Sequence, residues 1–396
     1  MLSKRAASLK PSPTLAISAK EKALKAQGID IAGFGAGEPD FDTPDHIKKA
    51  AIDAINGGFT KYTPAAGMEQ LKDAVIEKFK RDNGLEYKRD EVIISCGGKH
   101  SLFNLFQSLF GEGDEVLIPA PYWVSYPPMV ELAGATPVIM ETSEGEDYQI
   151  TEAMLRKYIT IRTKAIVLNY PSNPVGSVYC RENLELIGKY AAEHNFFIVS
   201  DEIYEKLIYD DYKHVSIASM DKAFKDRTII CHGVSKTYAM TGWRIGFAAG
   251  PKDIIQAMSN IQSQSTSNPT SISQMASIAA LNGPQDCIAS MVSEFKKRKD
   301  FLVDGFRNID GVTCYDPRGA FYVFPNFSAF MKKRYKGRPV KTSAGLTEIL
   351  LEEFHTAVVP GIEFGKEGYL RLSFATSMEI IQKGLDRIKK AAAEMK

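Results

Sequence analysis

The chain has 396 residues, too many for one ordinary hydrophobic core, so two domains are expected. With 44% hydrophobic and 24% charged residues, it has the composition of a globular protein rather than a disordered or fibrous one. Its 49 basic residues balance 48 acidic ones, and the net charge of +1 gives no electrostatic reason to expect nucleic acid or an anionic membrane as a partner.

Cysteine and histidine spacing argues against a disulfide framework or a structural metal site. The five cysteines are widely separated with no C-x-x-C pair, and the six histidines include no H-E-x-x-H. The cysteines are Cys96, Cys180, Cys231, Cys287 and Cys314. No apolar stretch approaches about 20 residues, so no membrane-spanning helix is expected. A reduced, cytoplasmic setting without a metal is the plain interpretation.

The first twenty residues contain basic but no acidic side chains, which faintly resembles a transit peptide. The basic residues are Lys4, Arg5, Lys10 and Lys20. A packed helix over Thr14–Gln27 accounts for the segment better, because four apolar residues fall on one stripe. These are Leu15, Ala19, Ala23 and Ala26.

Between residues 90 and 250, short runs rich in β-branched residues alternate with helical patterns. The runs are Val92–Ser95, Glu115–Ile118, Pro137–Met140, Ala165–Asn169, Phe196–Ser200, Thr228–Cys231 and Arg244–Ala248. Most are apolar throughout, as expected for strands that are covered on both faces. Arg181–Asn195 between two of them has a helical stripe at Leu184, Ile187 and Ala191. This alternation predicts an α/β arrangement with a mostly parallel sheet flanked by helices.

After about Gly283 the pattern becomes that of a smaller α+β domain. The predicted elements are a helix at Met291–Asn308, strands at Val312–Tyr315 and Gly319–Phe324, a helix at Ala344–His355, strands at Ala357–Val359 and Tyr369–Phe374, and a last helix. Thr376 and Glu379 fit a capping box for that last helix. Its buried face is predicted at Ile381, Leu385, Ile388 and Ala392.

These patterns predict the domain division and the fold class. A large α/β domain is expected over residues 46–283. A smaller α+β domain is expected from the N-terminal segment 1–45 together with residues 284–396.

Lys236 follows the predicted strand Thr228–Cys231, and Arg244 stands eight residues after Lys236. A lysine just past a buried strand can condense with an aldehyde, while a nearby guanidinium binds that aldehyde's phosphate through two hydrogen bonds. A lone lysine of this kind is more often solvated, and a lone arginine is more often an ordinary ion-pair partner. The two residues by themselves leave both interpretations open.

The segment Gly233–Arg244, which reads G-V-S-K-T-Y-A-M-T-G-W-R, resembles the lysine signature of class I aminotransferases that use pyridoxal 5′-phosphate (PLP). Other segments typical of that family occur in the expected order over nearly the whole chain, and the resemblance is closest to the bacterial aspartate aminotransferase branch. It implies that Lys236 attaches PLP in the large domain, and that Ser235 and Arg244 help to bind it. One departure is Gly233, where many relatives have a serine that bonds the phosphate.

Asp201 stands at the end of a predicted buried strand, where α/β sheets place their ligand sites. A carboxylate there can pair with a protonated pyridine nitrogen and keep the ring electron-withdrawing, although alone it could equally cap a helix. In the family pattern, Asp201 matches the partner of the pyridine nitrogen. Tyr204 and Asn173 match the groups that bond the cofactor's phenolic oxygen. Without that pattern, Asn173 is only part of an N-P-x-G turn.

Gly97 and Gly98 follow the strand Val92–Ser95 and precede a predicted helix. Glycines that open a helix let backbone N–H groups approach a phosphate at the positive end of the helix dipole. The segment is not a Walker A loop, because His100 follows Lys99 and no glycine stands at position 93. We therefore interpret Gly97, Gly98 and Lys99 as part of a PLP phosphate site.

A second glycine-rich segment, residues 33–37, reads G-F-G-A-G. It is not a dinucleotide-binding motif, since Glu38-Pro39 follows where a third glycine and a helix should stand. The family resemblance implies instead that the Gly37 backbone contacts the substrate carboxylate.

Two aromatic residues complete the cofactor site that the resemblance implies. Trp123 matches an aromatic residue that stacks on the pyridine face and borders the substrate, although simple core packing is equally consistent with the residue alone. Tyr62 matches a tyrosine that reaches the phosphate of the neighbouring subunit. The resemblance therefore implies a homodimer with its active site at the subunit interface.

Arg371 lies in the alternating segment Tyr369–Phe374, opposite the apolar Leu370 and Leu372. Such a residue is either exposed or part of a pocket, and the family match implies that it binds the substrate α-carboxylate, with Asn173 nearby. Lys99 matches a lysine that reaches the distal carboxylate of aspartate or glutamate, and a phosphate contact is its alternative. The serine-rich stretch 263–273 lacks an arginine that some relatives use for that carboxylate.

The resemblance implies a PLP-dependent aminotransferase that acts on amino acids and 2-oxo acids with ping-pong kinetics. Lys236, Asp201 and Tyr204 are its expected catalytic residues, and aspartate with 2-oxoglutarate is the expected substrate pair, with prephenate as a further acceptor. The alternatives are an aromatic or alanine donor preference, or a β-eliminating PLP lyase on the same fold. A PLP-responsive DNA-binding regulator is disfavoured, because the family pattern already begins by about Lys10 and the net charge is near zero.

Overall fold

The computed structural model of the protein describes residues 2–3, 6–7, 9, 11 and 13–396. Lys4, Arg5 and Lys10 of the candidate targeting segment lie outside these described residues. Within the described part of the chain, no helix has both the length and the hydropathy needed to cross a membrane.

The predicted N-terminal helix is present as α1 (Pro13–Ala26) and leads into β1 (Ala32–Gly33), but its packed stripe was predicted wrongly. Ala19, Ala23 and Ala26 of the predicted stripe are exposed, and the side chain of Leu15 lies outside the described part of the structure. Ile17 and Leu24 pack instead near the buried Ile31. Isoleucine and leucine remove more apolar area from water than alanine, so they select the face of the helix that packs.

One sheet of seven strands occupies the middle of the chain, and it agrees with the predicted runs. Its strands are β2 (Val92–Ser95), β3 (Glu115–Ala120), β4 (Thr136–Glu141), β5 (Thr163–Asn169), β6 (Phe197–Asp201), β7 (Thr228–Gly233) and β8 (Gly246–Ala249). The helices of this region are α2 (Asp45–Asn56), α3 (Glu69–Asn83), α4 (Gly98–Leu109), α5 (Tyr126–Leu132), α6 (Glu152–Tyr158), α7 (Arg181–His194), α8 (Lys222–Lys225), α9 (Lys252–Ser265) and α10 (Ser271–Asn282).

The sheet is mostly parallel, as predicted, with the strand order β2-β8-β7-β6-β5-β3-β4. Only β8 runs antiparallel to its two neighbours. It begins at Gly246 rather than at the predicted Arg244, because Arg244 has a positive φ of 57° and cannot continue an extended strand. The parallel strands end together, so their last residues share one edge of the sheet.

Alternate residues of β5 face two different hydrophobic cores. Ala165 and Val167 belong to one core, and Ile166 and Leu168 belong to the other. Because both faces of the strand are buried, its sequence is apolar at successive positions rather than alternating with polar residues. The predicted α/β arrangement is confirmed.

The C-terminal region combines helices with short strands. Its elements are α11 (Asp286–Arg307), β9 (Tyr322–Val323), β10 (Arg334–Tyr335), β11 (Arg338–Pro339), α12 (Ser343–Phe354), β12 (Thr356–Ala357), β13 (Val359–Pro360), β14 (Leu370–Ser373) and α13 (Met378–Glu394). Strands β13, β14 and β9 form an antiparallel sheet in that order. Strand β12 pairs with β1, so the N-terminal segment packs with this region.

Several predicted C-terminal strands differ from the observed ones. Val312–Tyr315 is not a strand, because Thr313 makes a single bridge to Asn326, and Pro325 beside it lacks the N–H that a longer ladder needs. Gly319–Phe324 contracts to β9, since the positive φ of 59° at Ala320 interrupts the extended backbone. The predicted strand at residues 357–359 is divided between β12 and β13, which belong to different sheets.

The last helix buries the four predicted residues Ile381, Leu385, Ile388 and Ala392. Its N-cap, however, is Ser377, whose hydroxyl accepts a hydrogen bond from the Ile380 N–H at 3.3 Å. The predicted capping box that began at Thr376 is therefore wrong by one residue.

Candidate active site

Most of the predicted site residues line a single cavity of about 480 Å³ at the carboxyl edge of the parallel strands. These residues are Gly37, Gly98, Lys99, Trp123, Asn173, Asp201, Tyr204, Ser235, Lys236, Arg244 and Arg371. They come from parts of the chain more than 300 residues apart, and the sheet together with the C-terminal region brings them to one place.

Asp201 is the last residue of β6, and its carboxylate is buried. Oδ2 accepts a hydrogen bond from the Tyr126 hydroxyl at 2.6 Å, and Oδ1 accepts one from the Ile203 N–H at 3.3 Å. Burial raises the pKa of Asp201 to about 6, although both hydrogen bonds oppose the rise. The carboxylate therefore remains mostly charged at neutral pH and suits a cationic partner.

The glutamates that follow Asp201 belong to a buried polar cluster. Glu202 is 2.7 Å from His214 Nε2, and Glu205 is 2.5 Å from Lys78 Nζ. Glu202, Glu205 and His214 offer oxygen and nitrogen atoms within 4.8 Å of one another, as metal ligands would. The Lys78 ammonium already pairs with Glu205, and the bonds of the cluster hold the segment 201–205 in place.

Lys236 directs its ammonium group into the cavity, where Nζ donates to the Gly37 carbonyl oxygen at 2.5 Å. Burial lowers the pKa of Lys236 to about 8, and the carboxylate of Glu38 opposes that change. Glu38 in turn accepts a hydrogen bond from the Thr241 hydroxyl at 2.7 Å. A lowered pKa leaves a useful fraction of free amine near neutral pH, as a nucleophilic lysine requires.

The backbone beside Gly97 and Arg244 forms a cradle that only glycine permits. Gly97 has a φ of 94°, and a Cβ added there would overlap the Arg244 guanidinium. A Cβ added to Gly246 would overlap the backbone of Gly97 and Gly98. Two glycines thus bring the N-terminus of α4 close to the Arg244 guanidinium, which donates to the Thr241 carbonyl oxygen at 2.9 Å and to the Cys96 carbonyl oxygen at 3.3 Å. Backbone N–H groups and a guanidinium are donors that suit a phosphate group.

Replacing Gly246 with alanine is expected to weaken PLP binding by about tenfold or more, because the new methyl group forces the Gly97–Gly98 backbone away from β8. The measurement is the dissociation constant of PLP, determined by absorbance titration. Gly242→Ala is the matched control, since a Cβ there meets nothing within 4 Å. Equal affinities for the two variants would contradict the proposed cradle.

Gly233, the departure from the family pattern, also has a steric explanation. A Cβ added there would lie 3.0 Å from the Ile245 carbonyl oxygen and 3.1 Å from the Gly246 Cα. A serine at this position would therefore require β7 and β8 to separate slightly, whereas glycine fits without that change.

Arg371 is a buried guanidinium without an acidic partner. Its Nη2 donates to the Gly35 carbonyl oxygen at 2.7 Å, its Nη1 donates to Asn173 Oδ1 at 3.4 Å, and its Nε has no hydrogen-bond partner. In the described part of the chain, no carboxylate lies within 4 Å of Arg371. A buried cation without a counter-ion is unfavourable, so the arrangement is suited to an anionic ligand.

Lys99 contributes another cation to the same cavity. Its Nζ lies 4.9 Å from the centre of the Trp123 ring, and Trp123 packs edge-on against Tyr126 at 5.3 Å. Burial lowers the pKa of Lys99, and the nearby Arg244 lowers it further. A bound anion would relieve both effects.

Two predicted residues lie outside the cavity lining. Gly97 is behind it, against Arg244. Tyr62 is 92% exposed and does not contact the cavity within this chain. The predicted role of Tyr62 toward a neighbouring subunit stays a prediction.

Sequence reasoning missed several residues of the site. Tyr126 bonds Asp201, and the Asn169 side chain donates to the Asp201 carbonyl and accepts from the Asn173 N–H. Tyr322 also lines the cavity. Their only signal was proximity to recognised segments: Tyr126 stands three residues after Trp123, and Asn169 ends a predicted strand.

The residues present fit PLP: an amine in the cavity, a carboxylate at a strand end, and a glycine cradle beside a guanidinium that has no carboxylate partner among the described residues. The fold and this site define a PLP-dependent enzyme of the α/β class. The chain belongs to the family Aminotransferase class I and II, whose family model matches residues 29–388. It is therefore a PLP-dependent aminotransferase, as the sequence predicted.

Individual relatives resemble the chain over nearly its full length. It is 51% identical to the aspartate aminotransferase of Geobacillus stearothermophilus, with 98% of each chain covered. It is 48% identical to the aspartate/prephenate aminotransferase of Nitrosomonas europaea, again with 98% of each covered. Among solved structures, the aspartate aminotransferase of Rhizobium meliloti matches with a TM-score of 0.96 at 42% identity, covering 100% of both chains.

Proposed function

We propose that this enzyme transfers the amino group of aspartate to 2-oxoglutarate, and that prephenate is a further acceptor. The observation that carries the proposal is the pair Arg371 and Lys99, two cations in one cavity without an acidic partner within 4 Å among the described residues. Two cations complement the two carboxylates of a dicarboxylic amino acid. The names of the relatives from Geobacillus and Nitrosomonas support aspartate and prephenate as substrates.

The side chains divide the reaction among them. PLP, when bound, supplies an electron sink for the negative charge that develops at the substrate Cα. Lys236 would hold the cofactor through its side-chain amine, and its Nζ would carry the Cα proton as general base. Asp201 pairs with the pyridine nitrogen and keeps it protonated, while Tyr204 and Asn173 bond the phenolic oxygen.

Binding and orientation are the tasks of the remaining residues. Arg244, Ser235 and the Gly97–Gly98 backbone hold the phosphate, and Trp123 covers one face of the ring. Arg371, with Asn173 and the Gly37 backbone, orients the α-carboxylate so that the Cα proton faces Lys236.

The test is a panel of donors and acceptors with purified enzyme. As donors, aspartate and glutamate should give kcat/KM values well above those of alanine and phenylalanine. As acceptors, 2-oxoglutarate, oxaloacetate and prephenate should all support turnover. A preference for phenylalanine or alanine would overturn the aspartate assignment. Release of pyruvate and ammonia without any acceptor would identify a β-eliminating lyase instead.

Replacing Lys99 with alanine is expected to lower kcat/KM for aspartate by about 50-fold, and for alanine by less than about 3-fold, because only aspartate has a distal carboxylate to pair with the ammonium. Steady-state kinetics with both donors checks this. Lys22→Ala is the control, since Lys22 also borders the cavity but is exposed. An equal loss for both donors, with weaker PLP binding, would make Lys99 a phosphate contact.

We propose that the enzyme is a homodimer in which Tyr62 of each subunit reaches the phosphate of the other. Support comes from large side chains that are exposed close together in the chain: Ile52, Ile55, Phe59 and Tyr62. A second cavity of about 840 Å³ beside Lys99 and Arg244 is lined by Phe103, Val124, Met129 and Leu132, among others. Such apolar surface is typical of an interface.

Mixing two impaired variants tests this dimer. Lys236→Ala and Tyr62→Ala, unfolded together and refolded, should regain up to about a quarter of wild-type activity, because half the dimers are mixed and each has one native site. Activity equal to the mean of the separately refolded variants would argue against a shared site. Sedimentation equilibrium gives the oligomeric state independently.

We also propose that residues 46–283 form the PLP-binding domain, and that residues 1–45 with 284–396 form the smaller domain, in a cytoplasmic enzyme. Support for the division comes from a hydrophobic core built mainly from residues after 290, to which Ala32 and Phe34 contribute. Five unpaired cysteines suit a reducing compartment. Limited proteolysis near residue 283 tests the division, and cell fractionation tests the compartment.

A further inference from the structure

Tyr322 is a buried residue of the active-site cavity, and the sequence analysis gave it no function. It belongs to β9, pairs with Ser373 of β14, and is only 1% exposed. Its side chain therefore extends from the C-terminal sheet into a cavity that is otherwise lined largely by residues around the large sheet.

Tyr322 contacts three groups that have different proposed tasks. Its hydroxyl oxygen lies 2.9 Å from the Tyr204 hydroxyl oxygen. The guanidinium carbon of Arg371 lies 4.7 Å from the centre of the Tyr322 ring. A Cβ added to Gly37 would lie 3.2 Å from the Tyr322 hydroxyl, so this hydroxyl is also close to the backbone whose carbonyl accepts from Lys236.

The two tyrosine hydroxyls can form only one hydrogen bond between them, and its direction matters. Burial raises the pKa of both groups, well above the usual value for Tyr204. Each hydroxyl carries one hydrogen, so a Tyr204 that donates to the phenolic oxygen of PLP must accept the hydrogen bond between the two tyrosines from Tyr322. Tyr204 then keeps its own hydrogen for a different acceptor.

We propose that Tyr322 is a positioning residue, whose hydroxyl donates to Tyr204 and directs the Tyr204 hydrogen to the phenolic oxygen of PLP, while its ring holds the Arg371 guanidinium. The proposal rests on the proposed function of Tyr204 as the donor to that oxygen. Hydrogen bonds in a chain strengthen one another, so the Tyr322 hydroxyl makes Tyr204 a stronger donor than it would be alone. Tyr322 thereby connects Tyr204, which contacts the cofactor, to Arg371, which binds the carboxylate.

Tyr322→Phe removes the hydroxyl and keeps the ring over Arg371. The readout is the pH midpoint of the visible absorbance of the PLP-loaded enzyme, which follows the proton on Lys236 Nζ. A weaker hydrogen bond to the phenolic oxygen leaves that oxygen more basic. The oxygen then stabilises the protonated form of Lys236 Nζ, so the proton is lost at a higher pH. We expect the midpoint to rise by about 0.4 unit in Tyr322→Phe and by about 1 unit in Tyr204→Phe.

Kinetics and a double variant separate positioning from a general structural effect. In Tyr322→Phe, kcat should fall by about 3- to 10-fold while KM for aspartate changes by less than about 2-fold, since the ring still supports Arg371. In the Tyr204→Phe background, adding Tyr322→Phe should shift the midpoint no further. Tyr335→Phe is the control, because this buried tyrosine bonds Glu353 at 3.2 Å, away from the cavity.

A folded Tyr322→Phe enzyme with an unchanged midpoint would overturn the proposal. So would a shift that persists in full when Tyr204 is already phenylalanine. If the wild-type absorbance does not titrate, or if Tyr204→Phe leaves the midpoint unchanged, the assigned function of Tyr204 has failed, and this proposal fails with it.

Discussion

Replacing Lys236 with alanine is expected to reduce transamination by at least about 10⁴-fold while PLP continues to bind. The amine both attaches the cofactor and carries the Cα proton, so its removal eliminates both tasks at once. Arg244, the Gly97–Gly98 cradle and Asp201 remain to hold PLP non-covalently. Single-turnover kinetics with aspartate measures the loss directly.

Spectra and covalent trapping give a second readout for this variant. PLP added to Lys236→Ala should keep the absorbance of the free aldehyde, and borohydride treatment should leave no cofactor attached to the protein. Lys252→Ala is the control, since Lys252 is exposed and pairs with Asp90 at 2.8 Å. Normal turnover in Lys236→Ala would remove this lysine from the mechanism.

The large sheet could be predicted from the sequence because its strands are buried on both faces. A strand such as β5 is apolar at successive positions, and this pattern depends only on neighbouring residues. The short C-terminal strands were harder, because their lengths depend on pairing between distant segments and on single backbone conformations such as that of Ala320. The alanine stripe of α1 failed for a related reason, since the partner surface selects which apolar face is buried.

The candidate site likewise contains residues that the sequence predicted and residues that it did not. Lys236, Asp201 and Asn173 stand in contiguous motifs at strand ends, so their convergence in one cavity follows from a parallel sheet. Tyr126 and Tyr322 act through contacts with residues 75 and 118 positions away. No local pattern specifies such contacts, and only the folded chain reveals them.

The requirement for glycine at position 246 is a further feature that the sequence did not predict. This requirement comes from the approach of the Gly97–Gly98 backbone, which is almost 150 residues earlier in the chain. In the sequence Gly246 stands as an ordinary glycine within the predicted strand Arg244–Ala248. The steric reason for a glycine is a property of the neighbour, and the neighbour is unknown until the fold is known.

Arg371→Leu is expected to lower kcat/KM by about 10³-fold for every amino-acid donor, because the α-carboxylate that Arg371 binds is common to all of them. This uniform loss distinguishes Arg371 from Lys99, whose replacement should affect dicarboxylic donors alone. PLP binding and the absorbance of the resting enzyme should change little, since Arg371 contacts Gly35, Asn173 and Tyr322 rather than the phosphate cradle.

Arg371→Lys refines the test, because a lysine keeps the charge but cannot form the two parallel hydrogen bonds of a guanidinium. We expect kcat/KM of Arg371→Lys to exceed that of Arg371→Leu by no more than about tenfold. Arg338→Leu serves as the control, since Arg338 is exposed and pairs with Glu348 at 2.6 Å. A loss confined to aspartate and glutamate would exchange the assignments, placing the distal carboxylate at Arg371 and the α-carboxylate at Lys99.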